Sequence, residues 1–532
     1  MGREELEEKT RKEAAKDMTT FFDPSKVAGL PERYVEDVRL MLERWAAVES
    51  RNRELGTYFD MKTGLKDLGI SIPPQLTKTN CVVGWCEKAV EARVVRSRFD
   101  GYVSRGGKIG MLDDLVRTNN LRALFDQAME GALVHGLSAM TVMRGRPGQP
   151  AAKVRAYSAN QFACLWDRAE DRIKCGIVLH DVDEDGNPTA FVAHFSDAVA
   201  AIRRNADRTT WTAEVEPNPM GRPLMELLIH RPTLDQPLGR TLLTRELRGI
   251  VDKAMRDVLR MEIGAEFFTF PQRYLLGVED DLFAAPLDPD APVDEDGDPV
   301  DENGDKIPRV SSEAEKVRSY IGAYLALTRD ENGDVPQVGQ FSPAPAENFT
   351  RVFENDAQRF SGATNVPLAQ LGVLSNTYTS SDALGAANDP LILAVERMQG
   401  FFREPMATVG KMMLAVAHGT GMEGLSPEEA DVEAYFCDPS MPTIAARADA
   451  WTKLGAADKS IVGTRVYYEG VGLSQQTIDR LEREKESAST TQAMASIAQA
   501  LATQQPQRAD APPPDEGRED APEDAEEAAD GR

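Results

Sequence analysis

The residues able to do chemistry are few and scattered. Five histidines, His135, His180, His194, His230 and His418, stand far apart in the chain. Five cysteines, Cys81, Cys86, Cys164, Cys175 and Cys437, include no Cys-x-x-Cys pair. An odd number cannot pair fully, so they read as free thiols in a reducing compartment. Cys81 and Cys86 have no further ligands nearby and read as buried thiols rather than zinc ligands. Asp181-x-Asp183-x-Asp185-Gly186 copies the first half of a calcium loop, but Val192 stands where the bidentate glutamate belongs. Asp301-x-Asn303-x-Asp305 puts Lys306 in the glycine's place and Ser312 in the glutamate's. Gly107-Lys108 is followed by Ile109 and Gly410-Lys411 by Met412, so neither offers the hydroxyl and glycine cradle of a phosphate loop. Gly419-x-Gly421-x-x-Gly424 has dinucleotide spacing, yet it follows a helical pattern rather than a strand and predicts an interdomain loop. His-Glu-x-x-His and Gly-x-Ser-x-Gly are missing. No catalytic residue, metal site or cofactor is expected.

The segments that would position a site are more telling. From Leu243 the apolar residues Leu247, Ile250, Ala254, Val258 and Met261 recur at helical spacing. Arg245, Arg248, Asp252, Lys253, Arg256, Asp257 and Arg260 cover the other faces. Gly264 and Pro271 mark the end of that helix. A second charged helix is predicted over Ala346–Arg359, and a third from near Ser380 to His418. Pro390 and Pro405 lie inside the third, and a proline in a helix interior removes a hydrogen bond. That helix should kink or break near Asn388–Asp389. Between the first two helices lie strands at Gln272–Val278 and Val335–Phe341, with a hairpin pairing Tyr320–Leu327 to the latter. The acidic stretch Asp288–Asp305 predicts a mobile loop.

Upstream, helices are predicted over Tyr34–Arg51, from an Asn80 cap through Val94, and over Asp113–Leu133. A strand Ser138–Met143 and a β-rich region from Lys153 to Ile229 follow, with a hairpin turning at Asp185-Gly186-Asn187. Downstream, Pro427–Ala434, Thr443–Leu454 and Gln475–Glu486 read as helices, and Pro506–Arg532 as a disordered acidic tail. The class is α+β.

The 532 residues allow about two to four domains. Apolar content of 41% and charged content of 28% are ordinary for a globular chain. The net charge of −26 argues against a surface that grips nucleic acid broadly. Residues 1–20 lack the apolar core of a signal peptide, and no run has the apolar length of a membrane span, so a soluble intracellular protein is expected, with no membrane partner.

Several short pieces, in order, carry a resemblance: Leu68-Gly-Ile-Ser-Ile-Pro-Pro74, Val82-Val-Gly-Trp85 with Ala89-Val90 and Gly101-Tyr102, and Gly239-Arg-Thr-Leu-Leu-Thr-Arg-Glu-Leu247. Phe270-Pro-Gln-Arg-Tyr274 with Gly277, Pro336-Gln-Val-Gly-Gln-Phe341, Val366-Pro367, Leu371-Gly372 and Ser381-Asp-Ala-Leu384 continue it, over about residues 30–420. The chain resembles the portal proteins of tailed bacteriophages, specifically the siphophage portal family of phages of actinobacteria. The resemblance implies a portal fold with wing, two-helix stem, small α/β clip, long kinked helix and helical crown. On this sequence it implies a charged N-terminal arm (1–33), wing (34–238), stem helices (239–266 and 346–363) and clip (267–345). Tunnel loop and kinked wing helix would occupy 364–420, the crown 421–505 and the tail 506–532. It implies a homo-oligomeric ring, usually of twelve subunits, at one vertex of the virion's capsid, assembled in the host cytoplasm. Double-stranded DNA would be packaged and ejected through it. The implied partners are the major capsid protein, the terminase large subunit in transient contact, and a head-completion or adaptor protein. Leu243, Leu247, Ile250, Ala254 and Val258 would be the stem packing. Gly372, Val373, Leu374, Ser375, Asn376, Thr377, Tyr378 and Thr379 would be the tunnel loop facing DNA. A net-acidic wall would let the duplex slide where a basic one would hold it. The alternatives are another head–tail connector or virion structural protein without terminase docking and, from a different class, a nuclease or other enzyme.

Overall fold

The computed structural model describes residues 22–66, 81–105, 109–184, 188–269, 273–276, 293, 300, 337–340, 346–373, 385–440, 444–474 and 477–488. The chain divides into two compact units, Met1–Met441 and Pro442–Arg532.

The first unit is layered. Helix α1 (Glu32–Phe59) lays Tyr34, Val38, Met41, Leu42 and Trp45 on one face of a five-stranded antiparallel sheet. The sheet is a meander of β4 (Phe162–Asp167), β5 (Arg172–Val182), β6 (Pro188–His194), β7 (Ala198–Arg204) and β8 (Trp211–Pro217). Both of its faces are covered, which explains the unbroken apolar run in β6. Phe191 and Ala193 point to the α1 layer while Val192 faces the opposite core, as the two-residue period of a strand requires. That second core joins it to a three-stranded sheet of β3 (Ala152–Ser158), β2 (Leu137–Arg144) and β9 (Met225–Ile229). Behind this sheet lies the largest core, built by α2 (Trp85–Val94), α3 (Gly110–Thr118), α4 (Leu121–His135), α5 (Arg245–Thr269), α6 (Ala346–Thr364) and α7 (Asp389–His418).

The single helix expected over Asp113–Leu133 is two helices, α3 and α4. Asn119 ends α3, its amide donating to Leu115 O (3.0 Å) and Ala152 O (2.8 Å) while its oxygen accepts from Val154 N (2.9 Å). Asn120 follows at φ +49, a left-handed conformation that asparagine tolerates better than most residues. The helix placed from Asn80 starts instead at Trp85, and Asn80 lies outside the described residues. The helix expected over Pro427–Ala434 stops at Ala430, a single turn (α8, Pro427–Ala430) closed by a capping box between Ser426 and Glu429. Glu433–Phe436 is a strand, β12, which pairs antiparallel with β1 (Phe99–Val103) inside the first unit. The crown boundary expected at 421 therefore falls ahead of residues whose strand partner lies in the first unit.

The strand β10 (Arg273–Leu276) pairs antiparallel with β11 (Gln337–Gln340). The stretch Tyr320–Leu327, residues 288–292, 294–299 and 301–305 of the acidic segment, the turn Asp185–Asn187 and the tail Pro506–Arg532 lie outside the described residues. α7 begins at Asp389 with Pro390 in its first turn, where a proline's missing N–H costs nothing, and stays helical through Pro405. The helical segment ahead of it is interrupted by a turn at Ala387–Asn388, the place where the sequence predicts a break.

The second unit contains α9 (Ile444–Ala457), α10 (Arg465–Val471) and a helix over 477–488. Thr464 caps α10 by accepting from Tyr467 N, and Trp451 of α9 meets Tyr467 edge-on at 6.0 Å.

Candidate functional site: a braced helix pair and a clamped loop base

α5 and α6 run side by side, tied to the core by one stripe and to each other by charge. Leu243, Leu247, Ile250 and Ala254 are buried, and Val258 is half-buried against the same core. Leu243 precedes the first helical residue, so the stripe begins just ahead of α5 itself. Val251, Met255 and Leu259 are buried too, which makes the apolar face wider than the sequence pattern implies. From α6 come Ala357 and Phe360, and Trp85 of α2 packs against Phe353 and Phe360 with ring centroids 5.1 and 5.6 Å apart.

The charges placed on the outer faces of α5 are only partly outside. Lys253 Nζ donates to Asp257 Oδ2 (2.8 Å) and to Asp356 Oδ2 of α6 (2.6 Å), and Arg260 reaches Asp257 Oδ1 at 2.7 Å. The two carboxylate side chains are 6% and 2% exposed. Burial pushes the Asp356 carboxyl up, against the pull of Lys253. Asp257 is also disfavoured by burial, but hydrogen bonds with Lys253 and Asp356 hold it below the usual carboxylate range. Further along α5, Asp252 accepts from Tyr58 Oη (2.7 Å) and Lys66 Nζ (3.0 Å), and Arg248 pairs with Glu54 at 2.9 Å. These contacts tie the end of α1 to the start of α5. At the far end of α6, the buried Arg93 of α2 donates to Ala89 O (2.7 Å) and to Thr364 O (2.5 Å), the last residue of the helix. A guanidinium there satisfies a terminal carbonyl and suits the negative end of the helix dipole. Burial, with Arg231 nearby, brings its pKa down to about 10.

Past α6 the chain turns at Gly372, whose φ of +79 is the left-handed region that glycine occupies freely. Gly372 is exposed, and Val373 is half-buried against the core. Leu374, Ser375, Asn376, Thr377, Tyr378 and Thr379 lie outside the described residues, as do Ser380 and Asp382. The two sides of this stretch meet at Asn388. Its Oδ1 accepts from Gln370 Nε2 (3.2 Å) and from Arg96 Nη2 (3.1 Å), while Arg96 Nη1 bonds Pro439 O (3.1 Å). The loop base is therefore clamped from both sides.

The candidate chemical groups sit elsewhere. Cys81, Cys86, Cys164, Cys175 and Cys437 are free, and burial pushes the thiols of Cys86, Cys164 and Cys175 up to about 12, so they are protonated at neutral pH. His194 is fully buried in β6 and burial brings it down to about 4. His230 Nδ1 lies 2.7 Å from Arg240 O, and His418 pairs with Glu429 at 2.8 Å. Among the described residues, no three His, Cys, Asp or Glu side chains are placed to hold a metal ion.

What this arrangement defines is a structural scaffold: two helices braced by buried charge, with a loop held at its base beside them. The chain belongs to the phage portal protein family of the SPP1 Gp6-like type, and the match extends over residues 108–491. Its relatives include the portal protein of Mycobacterium phage D29, 23% identical over 463 residues that cover 84% of this chain and 88% of that one. The portal protein of Mycobacterium phage L5 is 22% identical over 472 residues, covering 85% and 90%. Among solved structures, a chain from the virion of the native gene transfer agent particle covers 73% of this chain and 89% of its own, at 13% identity and a TM-score of 0.36. A chain from the neck of the empty particle covers 76% and 95%, at 14% identity and a TM-score of 0.38. Superpositions that loose add nothing to the assignment.

Proposed function

We propose that copies of this chain form a closed ring of twelve at one capsid vertex, through which double-stranded DNA enters the head and later leaves it. In this reading α5 and α6 are the stem and residues 267–345 the clip that docks the terminase large subunit. The wing meets the major capsid protein, and a head-completion or adaptor protein follows the terminase. Residues 372–379 are the tunnel loop that approaches the duplex. The observation that carries the reading is the braced pair α5/α6 within a chain of the portal family. A helix pair under load from a moving polymer needs a fixed register, and a buried ion pair sets register where apolar contact alone lets helices slide. The bonds of Gln370 and Arg96 to Asn388 hold together the two ends between which the proposed tunnel loop lies. The net charge of −26 suits a wall past which DNA slides.

Negative-stain imaging of the purified full chain tests it. Rings with a central hole and a narrow waist support a portal. Rings without a waist indicate another head–tail connector, and monomers at high concentration overturn the reading.

A further inference from the structure

A cleft of about 340 Å³ opens where α1, the β4–β5 turn and the segment leading into α5 meet. Its walls carry Arg44, Arg51, Arg168 and Arg240 together with Trp166, and its lining contains no carboxylate. In a chain with 61 basic and 87 acidic residues, four guanidiniums around one small cleft run against the general balance. Arg44 and Arg51 are seven residues apart on α1, two helical turns, and so share a face. Arg44 is held by a weak bond from Nη1 to Cys164 O at 3.4 Å. Of the nearest acids along the chain, Asp235 is exposed and outside the lining, and two others are engaged elsewhere. Asp167 accepts from the backbone N–H of Ala169 (2.8 Å) and Glu170 (3.3 Å), and Glu170 pairs with Arg172. Among the described residues, none of the four arginines has an ion-pair partner.

The wall beside Arg240 is rigidly built. Gly239 sits at φ +74, where a Cβ would lie 2.5 Å from His230 O and 2.6 Å from Ile229 Cγ2. Arg240 N donates to His230 O at 2.9 Å, and His230 Nδ1 lies 2.7 Å from Arg240 O. The backbone on this side of the cleft is thus fixed, and the four guanidiniums stand exposed around it.

We infer that this cleft binds the phosphodiester backbone of a nucleic-acid strand. Guanidinium forks match phosphate oxygens two at a time, and four of them at one place exceed what a single carboxylate needs. Trp166 supplies the flat face against which a base stacks. An acidic peptide is the weaker fit, because the chain's own acidic segment 506–532 is rich in Ala, Pro, Asp and Glu but has nothing aromatic to use that face. The proposal is independent of the ring reading, since it concerns one face of one subunit.

The test measures binding of a labelled single-stranded oligonucleotide and a blunt duplex to the full chain by fluorescence anisotropy, with sizing run on the same samples. Arg51→Ala/Arg168→Ala is compared with Arg480→Ala, an exposed arginine of the second unit. The cleft variant should bind about tenfold more weakly at low salt, and its log–log salt slope for the single strand should fall by about 1.4, as loss of two phosphate contacts requires. Arg480→Ala should match wild type. Equal affinity and equal slope in the cleft variant and wild type overturn the proposal, whatever the assembly state. So does unchanged DNA binding accompanied by faster proteolysis of residues 506–532, which would assign the cleft to the chain's own acidic segment.

Discussion

Lys253 is the one cation shared by Asp257 and Asp356, so Lys253→Met is the sharpest probe of the helix pair. Methionine keeps much of the aliphatic stem and deletes the charge and its donors. Removing one partner of a buried ion pair costs about 3–5 kcal/mol. Lys253 is itself 37% exposed, and Arg260 remains 2.7 Å from Asp257, so the expected loss near neutral pH is about 2–3 kcal/mol. The pH dependence is the stronger check. In wild type Asp257 is held low, so it contributes stability above its unfolded pKa of about 3.9 that is lost as pH falls through its folded value. Asp356 is raised, so its contribution is complete below the unfolded pKa and is lost as pH rises through its folded value. Without Lys253 the main pull on both carboxyls disappears, and both folded pKa values rise. The deficit of the variant should therefore be largest near pH 7 and shrink as pH falls from about 5 to about 3.5. Urea unfolding followed by tryptophan fluorescence at three pH values measures it, by shifts in midpoint. A deficit that stays constant across that range, or one below about 0.5 kcal/mol at neutral pH, refutes the buried-lock reasoning.

Other outcomes follow from the same structure. Ile250 is 2% exposed within the chain's own core, so Ile250→Asp should cost at least about 4 kcal/mol and give insoluble protein. Ile250→Val should cost about 1 kcal/mol and still form rings by sizing and microscopy. Asn376→Lys adds one positive charge per subunit to the proposed tunnel loop. Assembly should be unchanged while DNA retention becomes stronger and salt-sensitive, and packaging at the wild-type rate in low salt would remove the loop from the channel. Removing Pro506–Arg532 should leave the melting temperature within about 2 °C of wild type, and a larger drop would show the segment docked.

Much of the scaffold was legible because it is local. The spacing of Leu243, Leu247, Ile250 and Ala254 finds the buried side of α5, and Pro390 finds the break just ahead of α7. The apolar run in Ala190–Phe195 marks a strand whatever covers it. What stayed hidden depends on distant partners. Glu433–Phe436 follows Pro427-Glu-Glu-Ala430, a good helix start, yet forms a strand because β1, more than three hundred residues earlier, offers it an edge. Asn119 ends α3 through bonds to Ala152 and Val154, which no window around Asn119 contains. An amphipathic reading sends every charge to solvent, so it could not find Asp257 and Asp356 facing inward. The arginine cleft is assembled from three separate segments and has no sequence signature at all.

The polar ties differ in what breaking them would expose. Sliding α5 along α6 would separate Lys253 of α5 from the buried Asp356 of α6, while the Lys253–Asp257 and Arg260–Asp257 pairs within α5 would stay intact. Each uncompensated buried charge costs several kcal/mol, so this pair changes register only if something else fills the gap. Pulling α1 away from α5 would break the bonds of Tyr58 and Lys66 to Asp252 and the Arg248–Glu54 pair, ions that are in part exposed, and would uncover Leu55 and Tyr58. At the loop base, Gln370 and Arg96 donate to Asn388 Oδ1, one bond neutral and one charge-assisted, beside the buried Leu371 and Leu391. In the proposed ring, a load on the subunit would therefore have to expose a buried charge before it could shift α5 along α6.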